Sequence, residues 1–144
     1  MPHMVLVIAN KTCPCPELRE LLLGRAGAHD TLDVLIVAPA LNSRLAHYVS
    51  DTDRAVTAAQ GRLDVAVAAL EGEGVQARGA VGDAQPLLAL EDALVDFAAD
   101  EVVISTHPPG QSHWLERHLL ERARERVQVP VLHLTTEYGL HEPV

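Results

Sequence analysis

No apolar run in this chain of 144 residues approaches the roughly 20 that a membrane-spanning helix needs. The amino terminus shows no signal-peptide pattern either, and Met1-Pro-His-Met4 reads as a short tail or an alternative start. Cysteine is scarce. The only two are Cys13 and Cys15, and with no export signal in view the expected compartment is the cytoplasm. Basic residues are outnumbered: 11 Lys and Arg against 20 Asp and Glu give a net charge of -9, with a pI near 5.2. That balance argues against duplex nucleic acid and an anionic membrane as partners. The one basic cluster, Arg117, Arg122, Arg124 and Arg126, is interleaved with Glu116, Glu121 and Glu125, which describes a solvated helix face. Fixed-period repeats, low-complexity tracts, linkers, a Walker motif, a Ser-His-Asp order and paired carboxylates beside an apolar pocket are also missing. What remains is one domain over residues 1–144, its core at about 4–136. A chain of this size buries roughly 70% of its unfolded surface.

The residues that are present alternate between two patterns. Val5-Leu-Val-Ile-Ala9 is a first buried strand, and Pro16 opens a helix with Leu18, Leu21 and Leu22 on its apolar face. Gly24 and Gly27 are expected to end that helix. Asp33-Val-Leu-Ile-Val-Ala38 is a second apolar run, as strands covered on both faces require. A long loop from Pro39 to Ser50 follows, with Ser50 and Asp53 in a capping arrangement. Val56, Ala59, Leu63, Ala66 and Leu70 line one face of the next helix, which Gly72 and Gly74 stop. Val75 to Val81 is the third strand, and Gly82-Asp83 turns into a helix carrying Leu87, Leu90, Leu94 and Phe97. Then come strand Glu101-Val-Val-Ile-Ser105, turn Thr106 to Gln111, a helix from Ser112 to about Val127, and strand Val129 to Leu134. Five strands alternating with four helices predict an α/β fold, a single α/β/α domain of three layers around a parallel sheet. In such sheets ligands bind beyond the carboxyl ends of the strands, where strand order reverses. A small-molecule site is therefore expected around Thr106 to Trp114.

Ala80-Val-Gly-Asp83 closes the third strand and Val129-Pro-Val-Leu132 opens the fifth. With the alternation of elements, these phrases resemble the universal stress protein family over essentially the whole chain, from Val5 to Thr135. The resemblance implies a five-stranded parallel sheet of order 3-2-1-4-5, homodimers, and a stress-response or regulatory role without catalysis. It also implies, in ATP-binding members, a site made from an aspartate after the first strand, backbone groups after the second, and a Gly-x2-Gly-x9-Gly-Ser/Thr loop after the fourth. In this chain the aspartate position is Asn10, and the second strand ends at Ala38. The last loop reads Ser105-Thr-His-Pro-Pro-Gly110, with prolines, which lack an N–H, where amides would meet phosphate. Glu116-Arg117-His118 stands near the family's final glycine. The expectation is no resident cofactor, weak ATP binding at most, and a small anionic or nucleotide-like ligand at the carboxyl ends of the first and fourth strands. A true ATP binder with a rebuilt phosphate loop is an alternative.

Individual residues refine that expectation. Gly110-Gln111-Ser112 supplies a helix start with a preferred cap, either an ordinary capped end or a generic anion site. His113 and Arg117, four apart, would add charge on one face. Arg44, in the long loop, has the donor fork that suits phosphate or carboxylate. With Asn10, Ala38, Thr106 and His107 these complete the candidate ligand set. Cys13 and Cys15 precede a helix start, where thiol acidity rises. With His107 and His113 they could form a tetrahedral zinc site or a thiol-redox centre. Their Cys-x-Cys spacing is not the Cys-x-x-Cys of recurrent sites, so two incidental thiols and no zinc are expected. At the fifth strand, Val129, Val131, Leu132, His133 and Leu134 form an edge without lysine, the expected surface for pairing with a second copy.

Overall fold

Strand and helix alternate strictly through the computed structural model, which describes residues 3–9, 16–28, 31–41, 49–83, 85–106 and 113–135. In chain order the elements are β1 (His3–Ile8), α1 (Pro16–Ala28), β2 (Leu32–Leu41), α2 (Val49–Gly72), β3 (Gln76–Asp83), α3 (Pro86–Asp96), β4 (Glu101–Thr106), α4 (His113–Arg126) and β5 (Val131–Thr135). All strand pairs are parallel and the sheet order is β3-β2-β1-β4-β5.

Period-two alternation in the central strands sends side chains into two separate apolar layers. Val5, Val7 and Ala9 of β1 join Leu18 and Leu22 of α1 and Ala59, Leu63, Ala66 and Leu70 of α2. Leu6 and Ile8 meet Leu90 of α3, Phe97 behind it, and Leu120 and Ala123 of α4. Leu6, Leu22, Ile36, Leu90 and Ile104 are fully buried, each stabilising the fold by about 1.5–3 kcal/mol relative to exposure. Helix α2 ends in a Schellman arrangement: Val75 N–H donates to Leu70 O and Gly74 N–H to Glu71 O, both at 3.0 Å. Gly74 supplies the required left-handed conformation (φ 88°), and Val75 and Leu70 are both buried in the same layer.

Several boundaries differ from those the sequence predicts. His3 and Met4 belong to β1 rather than to a tail. Helix α1 runs through Gly24 and Gly27 to Ala28. A glycine costs about 1 kcal/mol in a helix, less than the burial of Leu18 and Leu22 returns. Strand β2 continues past Ala38 to Leu41, pairing Pro39 with Gly82 and then shifting register before Leu41. A bulge tolerates the missing proline N–H. Strand β3 starts after Val75 and takes in Gly82 and Asp83. Helix α2 begins at Val49, so Ser50 lies within its first turn rather than capping it. Phe97 follows α3 as its C-cap, donating its N–H to Ala93 O at 2.9 Å. Strand β5 begins only at Val131, which leaves Val129 and Pro130 just ahead of it. Among the described residues no helix is long and apolar enough to cross a membrane.

Candidate functional site

The chain builds outward from β1 to β2 and β3, then returns to lay β4 on the other side of β1. Strand order therefore reverses between β1 and β4, and the crevice beyond their carboxyl ends is where such sheets hold ligands. Its floor is apolar. Ile8 and Ala9 are buried, and Ala9 N–H donates to Val37 O at 2.9 Å, which closes the end of β1 against β2. Ala38, a candidate ligand residue, is buried in β2. Ser105 is the one buried hydroxyl among the described residues, at the end of β4. Thr106 follows it, in register with Thr135.

The entry to α3 borders the same end of the sheet. Asp83 Oδ1 accepts from the backbone N–H of Gln85 at 2.8 Å, and Pro86 then opens the helix. Gly82 lets α3 approach β3 and β2. A Cβ there would lie 2.8 Å from Val37 Cγ1 and 3.0 Å from Ala89 Cβ.

Of the predicted ligand residues, the fold brings Ala38 and Thr106 to the carboxyl side of the sheet, and α4 opens with His113 and carries Arg117 one turn on. Asn10, Arg44, His107, Gly110 and Ser112 lie outside the described residues. So do Cys13 and Cys15, and with them the predicted metal or thiol centre. Among the described residues no group of three or more His, Cys, Asp or Glu could hold a metal ion. Of the predicted interface, Val131 to Leu134 lie in β5, which is an edge strand.

Sequence reasoning misses an ionic cluster at the opposite, amino-terminal end of β1 and β4. Glu101 is 7% exposed, and its Oε1 accepts from His3 Nε2 at 2.8 Å and from Arg25 Nε at 2.7 Å. Arg25 Nη2 reaches Oε2 at 3.3 Å. Asp100 ties the same corner: its Oδ2 accepts from Met4 N–H at 2.8 Å, and its own N–H donates to Met4 O at 2.7 Å. Burial by itself would raise the Glu101 carboxyl. The hydrogen bonds from Arg25 and His3 outweigh it and hold the group below the usual carboxylate range. The signal in the sequence is an acid heading an otherwise apolar strand. Its partners come from 76 and 98 residues away, which no local pattern reveals.

No protein-family model matches the sequence, and no curated protein does. Solved structures do. One is hypothetical protein MJ0577, studied for a structure-based assignment of its biochemical function: TM-score 0.66 and 15% identity, covering 95% of this chain and 98% of that one. Another is a protein of the universal stress protein family from Burkholderia pseudomallei: TM-score 0.56 and 19% identity, covering 91% of this chain and 94% of that one. These likenesses run the length of the domain and agree with the strand order. This chain has the universal stress protein fold.

Proposed function

We propose that the chain is a non-catalytic, cytoplasmic stress-response or regulatory domain that works as a homodimer and takes a small anionic or nucleotide-like ligand. The observation that carries this reading is the reversal of strand order between β1 and β4 within a sheet of this fold. Arg44 follows β2, and His113 and Arg117 stand at the start of α4, so three candidates for meeting an anion come from segments that lead away from the carboxyl end of the sheet. ATP binds weakly, because Pro108 and Pro109 stand where backbone amides would otherwise meet phosphate. The net charge of -9 disfavours nucleic acid and anionic membranes as partners.

The homodimer reading rests on the two sheet edges. At β3 the Arg78 side chain is 62% exposed, and charge on an edge discourages strand addition. Strand β5 carries no Lys, Arg, Asp or Glu, and Leu132 is an exposed large apolar residue. Val129 would flank the paired region rather than join it. Calorimetry with magnesium ATP tests the ligand part of the reading. The expected result is no micromolar binding. A micromolar constant would overturn the weak-ATP reading and assign phosphate neutralisation to Arg44, His113 or Arg117.

A further inference from the structure

We propose that the outer face of α3 is a docking surface for a basic amphipathic helix of a partner protein, independently of the ligand and the dimer proposed above. Leu88 is 42% exposed and Val95 is 81% exposed. Seven residues apart, they lie on one line along the helix, about 10 Å from each other along its axis. That line points away from the sheet, because Ala89 and Leu90 are buried on the other side with Leu87, Ala93 and Leu94 packed beside them. The only polar residues of α3 are Glu91, Asp92 and Asp96, and all are acids. A helix that is apolar on every side is ordinarily covered on every side.

Single exposed apolar residues are ordinary on a surface. Among the described residues Val65 of α2 is of that kind, with Gly61, Arg62, Ala68 and Ala69 a turn to either side. Leu132 belongs to the β5 edge. Two exposed large apolar residues share a line on α3 alone among the described residues. Helix α3 lies over β3, β2 and β1, away from the β5 edge, so pairing through β5 leaves the line open.

The charges beside this line select the occupant. Helical spacing puts Glu91 on one flank and Asp92 and Asp96 on the other. Glu91 Oε2 accepts from Arg126 Nη1 of α4 at 2.7 Å. Asp92 and Asp96 are exposed, and among the described residues neither has an ion-pair partner. A second copy of α3 would set these acids against themselves, and like-charge contact across an interface is unfavourable. Nucleic acid and an anionic membrane meet the same repulsion. The chain's own residues after Thr135 bring Glu137 and Glu142 and no Lys or Arg. A helix has no free backbone edge to which a strand could add, so docking here is through side chains. A partner helix with apolar residues seven apart, and Arg or Lys between and beside them, meets Leu88, Val95, Asp92 and Asp96 together.

The probe is a synthetic helix with leucines seven residues apart and arginines between and beside them, titrated against the full chain by fluorescence anisotropy. The expected result is micromolar binding that weakens with salt, with amide NMR shifts centred on α3. Leu88→Ser with Val95→Ser is expected to weaken it about tenfold or more, as is Asp92→Asn with Asp96→Asn. Asp64→Asn with Glu71→Gln, which removes the same charge from the exposed face of α2, is expected to leave it unchanged. Circular dichroism checks folding, and if the serine pair unfolds, the asparagine pair and the shift map decide. Absence of binding overturns the proposal, as do shifts centred elsewhere. An α2 pair that weakens binding as much as the α3 acids also overturns it, because the attraction is then only to the net charge. A wild type whose self-association is lost in the serine pair overturns it as well, making the face an interface between copies.

Discussion

At the residue scale the Glu101 carboxylate is the one buried charge among the described residues, held by Arg25 from α1 and His3 from the head of β1. Its folded value lies below that of an unfolded glutamate, about 4.3. The stability it contributes is therefore fully present above that unfolded value and is lost as pH falls through the folded one. Glu101→Gln is expected to cost about 1–3 kcal/mol at pH 7, because two donors lose a charged acceptor. The gap from wild type should narrow below about pH 4. Urea unfolding at pH 7 and pH 3 measures it, and a constant gap would refute the assignment. Gly82 makes a steric demand of a different kind. Neither atom that an added Cβ would meet is the end of a flexible side chain: Val37 is buried and β-branched, and Ala89 brings its backbone with it. Gly82→Ala is expected to destabilise by about 1–3 kcal/mol, read as a lower urea midpoint with an unchanged slope.

Glycine behaves oppositely within the helices. Gly24 in α1 and Gly61 in α2 have open space where a Cβ would go, and neither has a positive φ. Gly24→Ala and Gly61→Ala are each expected to stabilise by up to about 1 kcal/mol, seen as a higher melting temperature. No change or a loss in both variants would mean that these faces are covered in the assembled protein. The same energetics explains which element boundaries are legible in the sequence. Buried parallel strands read as apolar runs, so the cores of β1, β2 and β4 are plain from Val5, Asp33 and Glu101 onward. The end of α1 is not plain, because Gly24 and Gly27 are local breakers overruled by Leu18 and Leu22 against the sheet. The extension of β2 through Pro39 is hidden for the same reason. Proline argues against a strand locally, and only the shifted pairing with Gly82 and Asp83 accommodates it.

At the scale of the whole molecule, the order of elements gives the reversal of strand order at which sheets of this class hold ligands, while the chemistry beyond the strand ends depends on loops. The alternation of strand and helix makes the α/β/α class legible, and the resemblance carried by Ala80 to Asp83 and Val129 to Leu132 adds the strand order. The site is legible only as a location. Around Asn10, Arg44, His107 and Ser112 the sequence has no hydrophobic period from which an orientation could be read. The corner of His3, Arg25 and Glu101 is invisible for a related reason, since its partners are far apart in sequence. Stability, by contrast, is distributed over two apolar layers on opposite faces of one sheet, and residues 16–134 with β1 already cover both. If Cys13 and Cys15 are incidental thiols, the double variant Cys13→Ser, Cys15→Ser should melt within about 2 °C of wild type, since a polar replacement of a thiol that holds no metal and no disulfide typically changes stability by only about 0.5 kcal/mol. A chelator should leave both proteins unchanged. A large drop in melting temperature for the variant, matched by chelator-treated wild type with release of zinc, would instead make the two sulfurs metal ligands, because bound metal adds its binding free energy to folding.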